Sequence, residues 1–165
     1  MKPAGLFLTF LAAANAKFLY GRQVFSVTSY NDLSISGGVA GNAAEEAFSL
    51  LRGPLPANPE DVSSDDLDFL DSVNSICNDA EKEAFNPAIE AASGEEADAL
   101  QRGKIKNKVL KLTATMLKLT AQAAQGQDVA DKLEEENKKL QNNIQQDEEA
   151  AGLPSTFLSF DAQTD

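Results

Sequence analysis

The chain has 165 residues and a net charge of -12, from 26 acidic and 14 basic side chains. Such an acidic balance disfavours nucleic acid and anionic lipid as partners of the whole molecule. The sequence contains no histidine, which excludes a Ser-His-Asp or Cys-His catalytic arrangement and a zinc site of the usual Cys/His type. No pair of carboxylates stands out as placed in an apolar cleft, so we predict no catalytic, metal or cofactor-binding residue, and no enzyme.

The first 16 residues have the pattern of a secretory signal peptide. Lys2 precedes an apolar run over residues 4–14, and an Ala-Asn-Ala cleavage site ends at Ala16. This run is too short to span a bilayer. We therefore expect an exported protein without a stable membrane anchor, with a flexible arm over 17–24 and a single helical domain over 25–165.

Short strand-like segments occur near both ends of the mature chain. Residues 25–30 and 33–36 alternate apolar and hydroxyl side chains on either side of an Asn-Asp pair, which suits two strands and a turn. Residues 156–160 have a similar composition. We expect the three segments to pair, so that the two ends of the chain meet over the helices.

The spacing of apolar residues becomes helical at Val39. The first predicted helix ends at the Gly-Pro pair 53–54, and the second begins at an approximate capping box that starts at Ser63. The Asn-Pro pair 86–87 predicts a kink or a restart, because proline is tolerated in the first turn of a helix but not inside one. The apolar face of the first helix contains Ala40, Ala43, Ala44, Ala47, Phe48 and Leu51.

The central helix is predicted over residues 95–126, with a weak point at Gly103. Its apolar residues recur at spacings of four and three, as in a coiled-coil seam: Ile105, Val109, Leu112, Met116, Leu119 and Ala123. A short turn at Gly126 leads to a last helix capped by Asp128, which forces an antiparallel hairpin. The sequence thus predicts a mainly α, four-helix bundle-like domain with a long helical hairpin and a small strand element at its ends.

One flank of the central helix carries the candidate interaction surface. It consists of Lys104, Lys108, Lys111 and Lys118. A basic amphipathic helix can bind a membrane surface or a partner protein. Inside a bundle, however, the acidic residues of the last helix can lie against these lysines, and the sequence favours this internal match.

Cys77 is the only cysteine of the chain and falls in phase with the apolar positions of its helix. This position favours a buried thiol. An intermolecular disulfide is the alternative, because the chain offers no second cysteine.

Three stretches resemble a group of small secreted proteins of filamentous fungi. They read FNPAIEAA from Phe85, ADALQRGKIKNKVLKLTA from Ala97 and KLQNNIQQD from Lys139. The resemblance implies secretion and a fungal source, but it brings no reaction and no ligand residues. Proteins of this group are often considered effector candidates or cell-surface components.

These patterns leave three hypotheses of function. The first is a secreted, non-enzymatic interaction protein of a fungus, a candidate effector whose partner is an unknown protein or a component of a host or cell-wall surface. The second is an extracellular carrier of an apolar ligand or lipid, held between the helices beside Met116 and Leu117. The third is a hydrolase, which requires two carboxylates that converge in an apolar pocket.

Overall fold

The computed structural model describes residues 21–165, so the predicted signal peptide and the first half of the predicted arm, residues 17–20, lie outside the described residues. The described chain is mainly helical, as predicted. Its α-helices are α1 (Tyr30–Leu33), α2 (Ala43–Arg52), α3 (Ser64–Ala80), α4 (Asn86–Ala91), α5 (Gly94–Ala124) and α6 (Ala130–Glu149). A 3-10 turn (Pro59–Asp61) precedes α3, and a π-helical turn (Glu81–Phe85) connects α3 to α4.

The long helix α5 is the element on which the others pack, and it contacts α2, α3 and α6. Most of the predicted seam is covered. Ile105, Val109, Leu112 and Leu119 are buried, Met116 is partly buried, and only Ala123 in the last turn is exposed. Because burial of a large apolar side chain contributes about 1.5–3 kcal/mol, this seam is a main source of stability.

Helices α5 and α6 form the antiparallel hairpin. Lys118 of α5 lies near Lys132 in the first turn of α6, whereas Lys108 lies near Asn142 further along α6. Gly126 makes the turn with a φ of 90°, a conformation that glycine adopts without steric cost. The predicted Asp128 cap is wrong, since α6 begins one residue later than that cap requires and has no side-chain cap.

Local signals also placed the boundaries of α3 and α4. The Ser63 side chain caps α3 by accepting a hydrogen bond from Asp66 N at 3.1 Å. The predicted interruption at the Asn-Pro pair is confirmed, because the π-helical turn ends there and α4 starts at Asn86. Ala80, Phe85 and Asn86 keep helical dihedral angles, so at Pro87 the chain changes its hydrogen-bond pattern through the π-helical turn and does not leave the helical conformation.

The predicted strand element is wrong, because residues 21–165 contain two isolated β-bridges and no strand. Residues 30–33 form the helical turn α1 instead. The Ser29 hydroxyl accepts a hydrogen bond from Asp32 N at 3.2 Å, and this local cap competes successfully with extended pairing.

The two ends of the described chain nevertheless meet. Thr164 N donates to Thr28 O and Thr28 N donates to Thr164 Oγ1, both at 2.9 Å. The end of the predicted arm is held as well, since the buried Asp66 carboxylate accepts hydrogen bonds from Val24 N at 2.9 Å and Phe25 N at 3.1 Å. Residues 24–28 are therefore part of the packed structure.

Gly103 is a point of close approach. α5 continues through it without interruption, so the predicted weak point does not divide the helix. A Cβ atom at this position would lie 2.2 Å from Thr156 O and 3.1 Å from Cε1 of Phe85. Thr156 N also donates to Ala99 O at 3.0 Å. The C-terminal segment can therefore lie along α5 only because residue 103 has no side chain.

We predict that Gly103→Ala lowers the free energy of unfolding by about 1–3 kcal/mol, because the added methyl group overpacks a backbone contact. Helix propensity alone would instead raise the free energy of unfolding by about 1 kcal/mol, because alanine is a better helix former than glycine. Chemical denaturation measures the difference. Thr120→Ala, at an exposed position of the same helix, is the control and should stay within about 0.5 kcal/mol. A stabilised Gly103→Ala protein would contradict the close approach.

Candidate functional site

An apolar groove of about 470 Å³ lies between α2, α5 and α6. Its lining consists of Ala44, Glu45, Phe48, Thr113, Met116, Leu117, Thr120, Leu140 and Ile144. Its volume falls within the range of small-molecule sites, roughly 300–1,000 Å³. The groove lies beside Met116 and Leu117, the position at which the sequence places an apolar ligand.

Phe48 differs from its predicted position on the buried face of α2, since it is 56% exposed. The buried positions of this helix are Ala43, Ala47 and Leu51, which follow one another at intervals of four. Ala44 and Phe48 form the adjacent row of the helix surface, and this row borders the groove. An aromatic ring thus lies open to solvent at the edge of an apolar depression.

The polar groups of the groove are few. Thr113 and Thr120 supply hydroxyl groups, and Glu45 supplies one carboxylate. No lysine or arginine of the described residues lines the groove. A negatively charged ligand therefore has no positive side chain to pair with in this groove. A carboxylate hydrolase requires two converging acids, and this groove has only one, Glu45.

The predicted lysine flank is engaged by acids from a different element than expected. Lys111 Nζ lies 3.0 Å from Glu81 Oε2, and Lys108 Nζ lies 3.9 Å from Glu81 Oε1. Lys118 pairs with Asp71 of α3. The prediction that acids of the last helix neutralise this flank is therefore wrong, although an internal match does exist for these three lysines.

The remaining lysine of the predicted set, Lys104, donates from Nζ to Asn86 Oδ1 at 3.1 Å. Acids of α6 pair within their own helix instead. Glu134 Oε1 lies 2.6 Å from Lys138 Nζ, and Glu135 Oε1 lies 2.7 Å from Lys139 Nζ. Side chains four apart on a helix are neighbours, so α6 satisfies these charges locally.

Lys106 is the lysine that sequence reasoning missed. Its side chain is fully buried, and Nζ donates to Gly37 O and Val39 O, both at 3.0 Å. Nζ also lies 2.8 Å from Glu46 Oε2. The available signal is its position in the helical repeat, since Lys106 precedes the buried Leu110 by four residues and so lies on the same face of α5.

We predict that Lys106→Met lowers the free energy of unfolding by about 2–3 kcal/mol. The change leaves two loop carbonyls and a half-buried carboxylate without their donor, and such losses are costly in the interior. Lys118→Met, which removes a more exposed ion pair, should cost less than about 1 kcal/mol. Urea denaturation compares the two variants. Equal costs would contradict the special role of Lys106.

Cys77 is a free, buried cysteine, which confirms the prediction of a buried thiol. Burial raises the pKa of the thiol from 9.0 to about 12, and the positive charge of Lys111 opposes this rise only partly. The thiolate is the reactive form of cysteine. The native protein therefore presents a covered and protonated sulfur.

We predict that a maleimide reagent at about pH 8 labels Cys77 at least about 100-fold more slowly in the native protein than in denaturant. Because the folded-state pKa is raised, the contribution of the protonated thiol to stability is complete below pH 9.0 and is lost as the pH rises toward about 12. Mass spectrometry measures the labelling. Rapid labelling of native protein would contradict the burial and make an intermolecular disulfide accessible.

Two kinds of feature are absent from the part of the chain that the structure describes. Residues 21–165 contain no helix that is long and apolar enough to cross a membrane. Within the same range, no group of three or more Cys, Asp or Glu side chains is placed to hold a metal ion.

A model of one protein family, described as a domain of unknown function (DUF8454), matches residues 25–159. The match includes every helix from α1 to α6. Comparisons with curated proteins and with solved structures gave no match. Since the family model covers most of the chain, this protein belongs to the DUF8454 family.

Proposed function

We propose that this protein is a secreted, non-enzymatic binding protein of a filamentous fungus, a candidate effector that acts outside the cell at a host or cell-wall surface. The signal-peptide pattern of residues 1–16 supports export. The resemblance of the stretches that begin at Phe85, Ala97 and Lys139 to secreted fungal proteins supports the source. In this proposal a four-helix bundle-like domain carries the binding site.

The apolar groove is the proposed ligand-binding site. Six of its lining side chains are apolar, and they come from three helices that are fixed by the core. Phe48 lies open to solvent at its edge. Covering apolar surface releases about 25 cal/mol per Å², so an apolar molecule in this groove would gain free energy from the groove wall and from the ring. Met116 adds a flexible side chain that can adapt to the shape of a ligand.

The few polar groups define the class of ligand. Glu45, an exposed side chain at the groove, disfavours a carboxylate or phosphate there, because like charges repel. The hydroxyl groups of Thr113 and Thr120 can donate to or accept from a ligand hydroxyl. The proposed ligand is therefore an uncharged, mainly apolar molecule with a hydroxyl group, such as a long-chain alcohol or a sterol.

We expect the mature protein to bind the neutral fluorescent probe Nile red, and 1-octadecanol to displace it. Leu117→Asp should weaken probe binding about tenfold or more, because a charge in an apolar site is poorly solvated. Val27→Asp is the matched control, since Val27 is an exposed apolar residue outside the groove, and it should bind as wild type does. No binding by the wild-type protein, or an equal loss in both variants, would refute the groove as a ligand site.

The charge of the ligand is tested separately with octadecanoic acid. Wild-type protein should prefer 1-octadecanol to octadecanoate at neutral pH, and Glu45→Lys should reverse this preference, because the variant places a cation where the wild type has a carboxylate. Competition against Nile red measures both affinities. A preference that Glu45→Lys leaves unchanged would show that Glu45 does not select the ligand.

Export and action at a surface need a different test. We expect protein collected from a fungal culture filtrate to begin at Lys17, which mass spectrometry of the intact chain determines. A pull-down with this mature protein from filtrate, cell walls and host extract tests for a partner. Retention of residues 1–16 in the extracellular protein, or its absence from the filtrate, would contradict the proposal.

A further inference from the structure

A second cleft, of about 500 Å³, lies where α3, the π-helical turn, α5 and α6 meet. Its composition is the opposite of that of the apolar groove. Four lysines line it, namely Lys82, Lys108, Lys111 and Lys139, together with four asparagines, one leucine and a single acid, Glu81. We call it the lysine cleft. It shares no lining residue with the apolar groove, so a ligand site in the lysine cleft is independent of the proposed function.

The lysine cleft has a local surplus of positive charge. Four ammonium groups face one carboxylate, a formal surplus of three positive charges in a protein whose net charge is -12. Lys108 and Lys111 share the two oxygens of Glu81. Lys139 pairs with Glu135 and Glu136, which do not line the cleft but reduce the formal surplus around it from three positive charges to one. Like charges held together in a cleft attract an anion.

Neutral donors accompany these charges. The side-chain amides of Asn78 and Asn142 line the lysine cleft. Asn86 accepts a hydrogen bond from Lys104 through Oδ1, which leaves its NH₂ group to donate. An oxygen-rich anion could therefore receive hydrogen bonds from amides as well as from ammonium groups.

The backbone of the lysine cleft is also unusual. Residues 81–85 form a π-helical turn, and π-helix accounts for well under about 1% of residues in globular proteins. Such turns occur frequently at functional sites. Here the turn supplies Glu81 and Lys82, and Asn86 follows it directly.

We propose that the lysine cleft binds a small molecule that bears more than one phosphate group. A phosphate group carries about -1.5 to -2 charges at neutral pH, more than a carboxylate, and lysine binds it as a point charge. No arginine of the described residues lines the cleft. Several phosphates would satisfy several ammonium groups at once, which a single monovalent anion could not do.

Isothermal titration calorimetry with the mature protein tests this site, with inositol hexakisphosphate and tripolyphosphate as probes. Both should bind, and myo-inositol and citrate should bind at least about tenfold more weakly. Lys111→Gln should weaken binding of the phosphates about five- to tenfold, discounted for partial exposure. Lys138→Gln is the control, because Lys138 pairs with Glu134 on α6 and does not line the cleft. Equal losses in the two variants would overturn the proposal in favour of non-specific charge.

Glu81→Gln supplies a change of opposite sign. It removes the one carboxylate of the lysine cleft, so it should tighten phosphate binding about threefold or more. A purely structural role for the Glu81–Lys111 pair predicts weaker binding in both variants, because both would loosen the turn. In the double variant Lys111→Gln/Glu81→Gln, both charges of the pair are removed, so no carboxylate is left without its partner. Thermal unfolding of each of the three variants checks that the fold persists. A weakened Glu81→Gln protein with an intact fold would overturn the proposal.

The phosphates could belong to a free molecule or to a lipid headgroup. Sedimentation with phosphatidylcholine vesicles, with and without phosphatidylinositol 4,5-bisphosphate, separates these sources. Binding of the soluble probes without sedimentation identifies a free ligand, whereas sedimentation only with the phosphorylated lipid identifies a headgroup. Failure of every probe would overturn the site and would leave the apolar groove unaffected.

Discussion

The structure depends on the burial of α5 on several sides at once. A helix in this position must satisfy its polar side chains within the protein, because an unpaired polar group in the interior is costly. Lys106 does so with the carbonyl groups of Gly37 and Val39. Asn107 accepts a hydrogen bond from Tyr30 Oη at 2.9 Å and donates to Cys77 O at 2.8 Å. These contacts attach three elements to α5: α1, the loop that precedes α2, and α3.

The same arrangement separates two surfaces of opposite chemistry. Neighbouring positions of α5 point about 100° apart, so Leu112 borders the lysine cleft while Thr113 borders the apolar groove. On α6 the division falls between Lys139 and Leu140 in the same way. The contact between α5 and α6 thus forms a wall with a cationic cleft on one side and an apolar groove on the other.

The sequence predicted those features that depend on local signals. The Ser63 cap, the change of helix type before Pro87 and the turn at Gly126 each follow from the chemistry of a few adjacent residues. The periodicity of the central helix likewise identified its buried seam. The apolar groove beside Met116 was anticipated only as a place between helices, since its walls come from segments distant in sequence.

Long-range contacts escaped prediction for a physical reason. The buried Asp147 carboxylate accepts a hydrogen bond at 2.8 Å from Ala43 N, which lies at the start of α2 and 104 positions earlier in the chain. No local sequence pattern predicts a helix cap from so distant a residue. Lys106 was overlooked because a lysine is usually exposed. The strand prediction at residues 25–36 was wrong because it used only the alternation of apolar residues. It took no account of the hydrogen bond by which the Ser29 side chain caps a helical turn.

The solitary, covered sulfur of Cys77 has one more consequence. With a single cysteine, the chain has no internal cystine, and its stability comes from helix packing. Small secreted domains often depend on disulfide cross-links. This fold has none to lose. Reducing conditions therefore remove no covalent cross-link from this fold.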